Sequence, residues 1–177
     1  MKDIFFLSGL PRSGNTLFGS IMNQNPDVAA TANSICADMM GELFSLKQTD
    51  IFKNFPDHKS FDNVAKTVFE NYYKDWKQDY IIDRAPWGMP INLKIIKQIR
   101  KNIKIIVLLR DVVEVLGSLI RWSEREPTSY LNNYWAKTTE EKCHMLMNNN
   151  GVIVKELIGI KHLLDHQPKD MYHIIDY

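Results

Sequence analysis

Phe5-Phe6-Leu7-Ser8-Gly9-Leu10-Pro11-Arg12-Ser13-Gly14-Asn15-Thr16-Leu17 decides the fold, because it reads as a buried strand that breaks into a glycine-rich loop and resumes as a helix. Ile4 to Leu7 are apolar, and Leu17, Phe18, Ile21 and Met22 recur at helical spacing. Gly9 and Gly14 permit backbone angles that other residues resist. A strand, a short loop and a helix N-terminus together aim backbone N–H groups and the positive end of the helix dipole at one anion. A crossover turn with no ligand would also need glycines here.

Working outward, strand-like runs alternate with helical ones, which predicts an α/β fold with a parallel sheet covered by helices. Strands are expected over 3–8, 80–83, 104–109 and 172–176, the 104–109 run being β-branched and continuous as in a strand buried on both faces. Helices are expected over 15–24, 35–47 and 61–77, then through Arg100 after a loop holding Pro86 and Pro90, and over 112–124. The stretch 131–166 reads as helical with a break near 148–151. No internal repeat or low-complexity tract divides the chain, so residues 1–177 are expected to form a single domain.

Composition excludes several classes. Hydrophobic residues make up 45% and charged residues 24%, which suits a globular chain rather than a disordered or fibrous one. Lysine and arginine total 22 against 21 acidic residues, so no global basic field attracts nucleic acid and anion binding must be local. Cys36 and Cys143 match no zinc or redox spacing and read as buried thiols. Lys2 and Asp3 lead directly into a strand without a signal-peptide pattern, and no run approaches a membrane span. The expectation is a cytoplasmic protein with no membrane partner.

Gly9 to Thr16 has the spacing of the loop G-x-x-x-x-G-K-[ST], but Asn15 stands where nucleotide hydrolases place lysine. That lysine is the point charge between the β- and γ-phosphates in ATP and GTP enzymes. Here Arg12 offers a cation earlier in the loop. Pro11-Arg12-Ser13-Gly14-Asn15-Thr16-Leu17 resembles the 5′-phosphosulfate loop of sulfotransferases, and is most similar to the P-R-S-G-T-T-L of the tyrosylprotein branch. The resemblance implies a three-layer sandwich like that of the P-loop nucleotide hydrolases. It also implies metal-free transfer of sulfonate from 3′-phosphoadenosine 5′-phosphosulfate to an acceptor, releasing 3′-phosphoadenosine 5′-phosphate. Residues 11–17 would grip the 5′-phosphate, with Arg12 facing the sulfonate.

Three further places carry the resemblance. Arg110-Asp111 follows the 104–109 strand and Ser118 lies eight residues beyond the arginine, as in the family's 3′-phosphate motif. An arginine fork with a hydroxyl binds phosphate by charge-assisted hydrogen bonds. A capping role for Arg110 and Asp111 at the strand and helix ends is the alternative. Ile82-Asp83-Arg84-Ala85-Pro86 is similar to the family segment whose lysine precedes the substrate loop, which would make Arg84 a catalytic cation at the bridging oxygen, with Asp83 orienting it. A salt bridge from Arg84 to Asp83 or Asp111 is the alternative. The closing Tyr177 matches a tyrosine near the nucleotide.

Two departures qualify the likeness. The tyrosylprotein branch carries a catalytic glutamate about twenty residues after the loop arginine, where this chain has Asn33, which cannot act as a base. Candidate replacements are Asp38, His58 as a loop residue, and Glu42, which shares a helical face with Asp38. The chain also ends at Tyr177 where the family continues, so it is expected to be a compact or C-terminally truncated member. Two other readings stay open: a small-metabolite kinase with Mg²⁺ on Thr16 and Asp83 or Asp111, and a nucleotide binder that has lost its base. Aromatic residues from Phe44 to Trp76, with Trp87 and Trp122, would fill core or line a cleft for an unidentified acceptor.

Overall fold

The computed structural model describes residues 2–132 and 136–176. Tyr177, expected near the nucleotide, lies outside them. Five strands form one parallel sheet: β1 (Asp3–Gly9), β2 (Val28–Ala30), β3 (Tyr80–Arg84), β4 (Ile105–Leu109) and β5 (Tyr172–Asp176), in the order β2-β3-β1-β4-β5. Because β1 sits between β3 and β4, the strand order reverses there, and open α/β sheets bind ligands at the carboxyl ends beside such a reversal. The register places Leu7 opposite Arg84 and Gly9 opposite Leu108, so those ends lie together.

Alternation along the strands sorts the core into two faces. Phe6, Ile81 and Val107 join the larger cluster, built around the buried aromatics Phe69, Tyr73 and Trp87. Leu7, Ile82 and Leu108 face the other way, under Phe18 and Met22 of α1 (Asn15–Met22). Helices thus cover both sheet faces, giving the expected layered α/β sandwich.

The remaining helices are α2 (Cys36–Ser45), α3 (Asp50–Asn54), α4 (His58–Tyr72), α5 (Pro90–Ile99), α6 (Val112–Arg125), α7 (Thr139–Met147) and α8 (Val152–His166). Their limits follow from local chemistry. Pro90 occupies the first turn of α5, the side chain of Asp111 accepts from the amides of Val113 and Glu114 to cap α6, and Thr138 with Glu141 forms a capping box at α7.

Three expectations need correction. β2 was not anticipated, because three residues are too few to show a period. The helix expected over 61–77 runs from His58 to Tyr72, because the Asp57 side chain accepts from the Ser60 amide at 3.0 Å and starts it earlier. Cys36 is buried, but Cys143 is only half-buried. No described helix is long and apolar enough to cross a membrane.

Candidate functional site

The loop after β1 is held by its own side chains. Ser13 Oγ donates to the Leu10 carbonyl at 2.6 Å, and Asn15 Nδ2 donates to that carbonyl at 2.9 Å and to Ser13 Oγ at 3.3 Å. Both residues are buried, so their side chains brace the loop from inside. Asn15 thus engages its amide nitrogen within the loop, where the hydrolase lysine would reach outward. Its Oδ1 has no partner among the described residues and abuts Gly9, where an added Cβ would lie 3.0 Å from it and 2.7 Å from the Leu108 carbonyl. That crowding explains the first glycine.

Gly14 has φ 85°, and Arg12, at 63°, is the one non-glycine residue with a positive φ among those described. Left-handed turns of this kind gather successive N–H groups into an anion-binding nest. The first bond back into α1 runs from the Phe18 amide to the Gly14 carbonyl at 2.8 Å, which leaves the preceding amides of Asn15, Thr16 and Leu17 at the open helix end. A positive φ at arginine costs about 1 kcal/mol or more, and such strain persists where neighbours over-determine it. Two do so here: Arg110 Nη1 donates to the Arg12 carbonyl at 3.1 Å, and Arg12 Nε donates to Ser118 Oγ at 3.2 Å.

Sequence positions 12, 110 and 118 are thereby brought together. With Pro11, Gly14, Asn15, Thr16, Leu17, Arg84, Trp122 and Tyr130, they line an open pocket of about 410 Å³. Trp122 is the one tryptophan singled out as a possible cleft residue that faces this pocket; Trp87 is core, its indole edge-on to Phe6 at 4.9 Å. Sequence reading also missed Tyr130 and Glu114. The Glu114 carboxylate takes a hydrogen bond from Arg110 Nε at 2.9 Å, an i,i+4 pair that fixes the guanidinium.

Arg84 ends β3, and its amide is tied to Thr31 Oγ1 at 2.8 Å. Its Nη1 donates to the Ala32 carbonyl and reaches Thr16 Oγ1 at 3.5 Å. No ion pair joins Arg84 to Asp83 or Asp111, which corrects that alternative. Asp83 does not orient Arg84 either, since neighbouring strand residues point to opposite faces. Its carboxylate is fully buried, takes a 3.2 Å hydrogen bond from Trp87 Nε1, and burial pushes its pKa up. The hydroxyls of Tyr73 and Ser34 favour its charged form, without a bond of normal geometry to Oδ2. Asp111 is spent on the α6 cap. A guanidinium therefore stands against Thr16 where a kinase would hold magnesium, and the two candidate acidic ligands are engaged elsewhere.

Arg84 also borders a second pocket of about 150 Å³, lined by Asn33, Ala85, Pro86, Val152 and Glu156 and sharing Pro11, Asn15 and Arg84 with the first. Asn33 does face the site. Asp38 and His58 line neither pocket: both are exposed, and His58, the first residue of α4 rather than a loop residue, packs edge-on against Phe52 at 5.2 Å. Glu42 is likewise exposed and outside both.

Residues 4–153 match the model of the sulfotransferase family. The chain belongs to the sulfotransferase family. Among solved structures, it is similar to the sulfotransferase domain from the curacin biosynthetic pathway, with 17% identity and a TM-score of 0.64 over 99% of this chain and 67% of that one. It is also similar to the sulfotransferase domain of the Synechococcus PCC 7002 olefin synthase, with 16% identity and a TM-score of 0.59 over 100% of this chain and 66% of that one. This chain thus spans about two thirds of the length of each and shares their fold. Comparison with curated proteins finds no match.

Proposed function

We propose that this chain transfers sulfonate from 3′-phosphoadenosine 5′-phosphosulfate to a hydroxyl or amine acceptor, without metal. The observation that carries the reading is the position of Arg84 on the wall shared by the two pockets. The larger pocket suits the nucleotide: the loop amides and Arg12 meet the 5′-phosphosulfate, Arg110 and Ser118 meet the 3′-phosphate, and Trp122 and Tyr130 offer apolar surface to the nucleoside. The smaller pocket suits the acceptor.

In such a transfer, the acceptor oxygen or nitrogen bonds to sulfur while the bond from sulfur to the bridging oxygen breaks. Negative charge then grows on that oxygen as it leaves with the 5′-phosphate. Arg84 and Arg12 are fixed cations at that position, and preorganised charge of this kind lowers a barrier by about 3 kcal/mol per group. Half-burial lowers the Arg84 pKa, yet an arginine remains charged. The finer likeness to the tyrosylprotein branch rests on residues 11–17, and the acceptor we assign is no narrower than a hydroxyl or amine.

Thermal unfolding tests the nucleotide assignment. In chelator, 3′-phosphoadenosine 5′-phosphate should raise the melting temperature, since a ligand that binds only the folded state stabilises it by mass action. Stabilisation by ATP with Mg²⁺ instead would favour the kinase reading. Nucleotide binding without turnover would favour a binder that has lost its chemistry.

A further inference from the structure

Resting on the transfer reading above, we propose that Glu156 is the general base that takes the acceptor's proton, in the role for which position 33 offers only an amide. Glu156 lies on α8, far in sequence from the phosphate loop, yet it lines the same pocket as Asn33 and Arg84. Among the described residues it is the only carboxylate in that lining. A cavity of about 150 Å³ equals the liquid volume of about five waters, enough for the reacting end of an acceptor between the base and the guanidinium.

The way α8 is packed explains why the carboxylate reaches the pocket. Ile153, Ile160 and Leu163 are buried, and Glu156 falls on the same stripe at helical spacing. Gly159 lets the helix lie flush against the loop after β3: an added Cβ would sit 2.7 Å from Met89 Sδ and 3.2 Å from its Cα. Ser8 holds that loop from below, accepting from the Gly88 amide at 3.0 Å. Glu156 and Arg84 are thus fastened to one rigid wall by short backbone contacts.

Glu156 makes no hydrogen bond or ion pair with any described residue, and burial pushes its pKa up to about 7. A structural carboxylate in a helix stripe would ordinarily be paired, because burying an unpaired charge is costly. One poised near neutrality in a cleft suits proton transfer. Among the described residues, Arg84 is the only other charged group lining the pocket. The elements packed on α8 carry Asp3 on β1, Lys94 and Lys97 on α5, and Glu140, Glu141, Lys142 and His144 on α7; α8 itself carries Lys155, Lys161, His162, Asp165 and His166. None of these lines the pocket. The step balances: the acceptor proton passes to a Glu156 carboxylate oxygen, the acceptor bonds to sulfur, and the bridging oxygen leaves with the electron pair.

Glu156→Gln tests this, assayed with 3′-phosphoadenosine 5′-phosphosulfate and a panel of phenol, alcohol, sugar and amine acceptors. Transfer should fall by about 10²–10⁴-fold, the usual worth of a positioned base, while affinity for 3′-phosphoadenosine 5′-phosphate stays within about twofold. The wild-type rate should rise with pH through a limb near neutrality that the variant lacks. Wild-type transfer rates and an unchanged limb in Glu156→Gln would overturn this assignment and leave the transfer reading standing. Nucleotide binding by the wild type with no transfer to any acceptor would overturn both. If the variant does not fold, a wild-type profile flat from pH 5 to 9 overturns the assignment and the limb supports it.

Discussion

The two pockets that meet at Arg84 lean on the β1 loop to different degrees. The nucleotide side gathers most of its polar groups from one loop, residues 11–17, and adds Arg110 and Ser118 from the next strand and helix. The smaller pocket, our proposed acceptor side, shares Pro11 and Asn15 of that loop and adds Asn33, Arg84 to Pro86, and Val152 with Glu156 from three separated stretches. Phosphate recognition demands a particular backbone path and particular cations, which leaves a local imprint. An acceptor pocket needs only a wall of the right shape with one or two polar groups, and those arrive from wherever the fold delivers them.

The sharpest way to break this division is Arg84→Ala. If Arg84 serves the transition state between the pockets, turnover should fall by about a hundredfold or more, with nucleotide affinity little changed. Steady-state kinetics alongside calorimetry separates the two effects. Equal losses in both would move Arg84 wholly to the nucleotide side.

Arg110→Ala probes the nucleotide side alone and should weaken binding of 3′-phosphoadenosine 5′-phosphate by about 2 to 3 kcal/mol. Adenosine 5′-phosphosulfate, which lacks the 3′-phosphate, should lose much less. Equal losses for both ligands would reduce Arg110 to a brace for the Arg12 carbonyl.

On the acceptor side, Glu156→Gln should stabilise the fold at pH 8 by about 1 to 3 kcal/mol and change it little at pH 4.5. The sign follows from a carboxyl whose folded pKa is raised to about 7: the folded chain holds its proton longer than the unfolded one, so stability falls as pH rises from the ordinary value of 4.5 through 7. Denaturant melts at the two pH values check it. Ser118→Ala is the smallest change, about 1 kcal/mol of nucleotide affinity, because it removes one neutral hydroxyl.

This division also explains what was legible beforehand. The strand 104–109, the phosphate loop and the family were readable because continuous β-branched runs and paired glycines leave local patterns. Arg12, Arg110 and Ser118 were marked by the family resemblance, and they line one pocket. The proposed base left no such mark: Asp38, His58 and Glu42 were the candidates by residue type, whereas Glu156 reaches the pocket through α8 packing on the sheet. A signal did exist: a half-buried carboxylate in the otherwise apolar stripe Ile153, Glu156, Ile160, Leu163. Such a residue conflicts with its local pattern, and those conflicts concentrate at functional sites. β2 and Tyr130 left no comparable trace, being a three-residue strand and a lone aromatic in a loop-like stretch.

The most direct test of the central claim is labelled sulfonate transfer from 3′-phosphoadenosine 5′-phosphosulfate to the acceptor panel by the wild-type chain in chelator. The two-pocket account predicts acceptor-dependent release of 3′-phosphoadenosine 5′-phosphate, matched mole for mole by sulfonated product. Tight binding of that nucleotide with no labelled product from any phenol, alcohol, sugar or amine would contradict it.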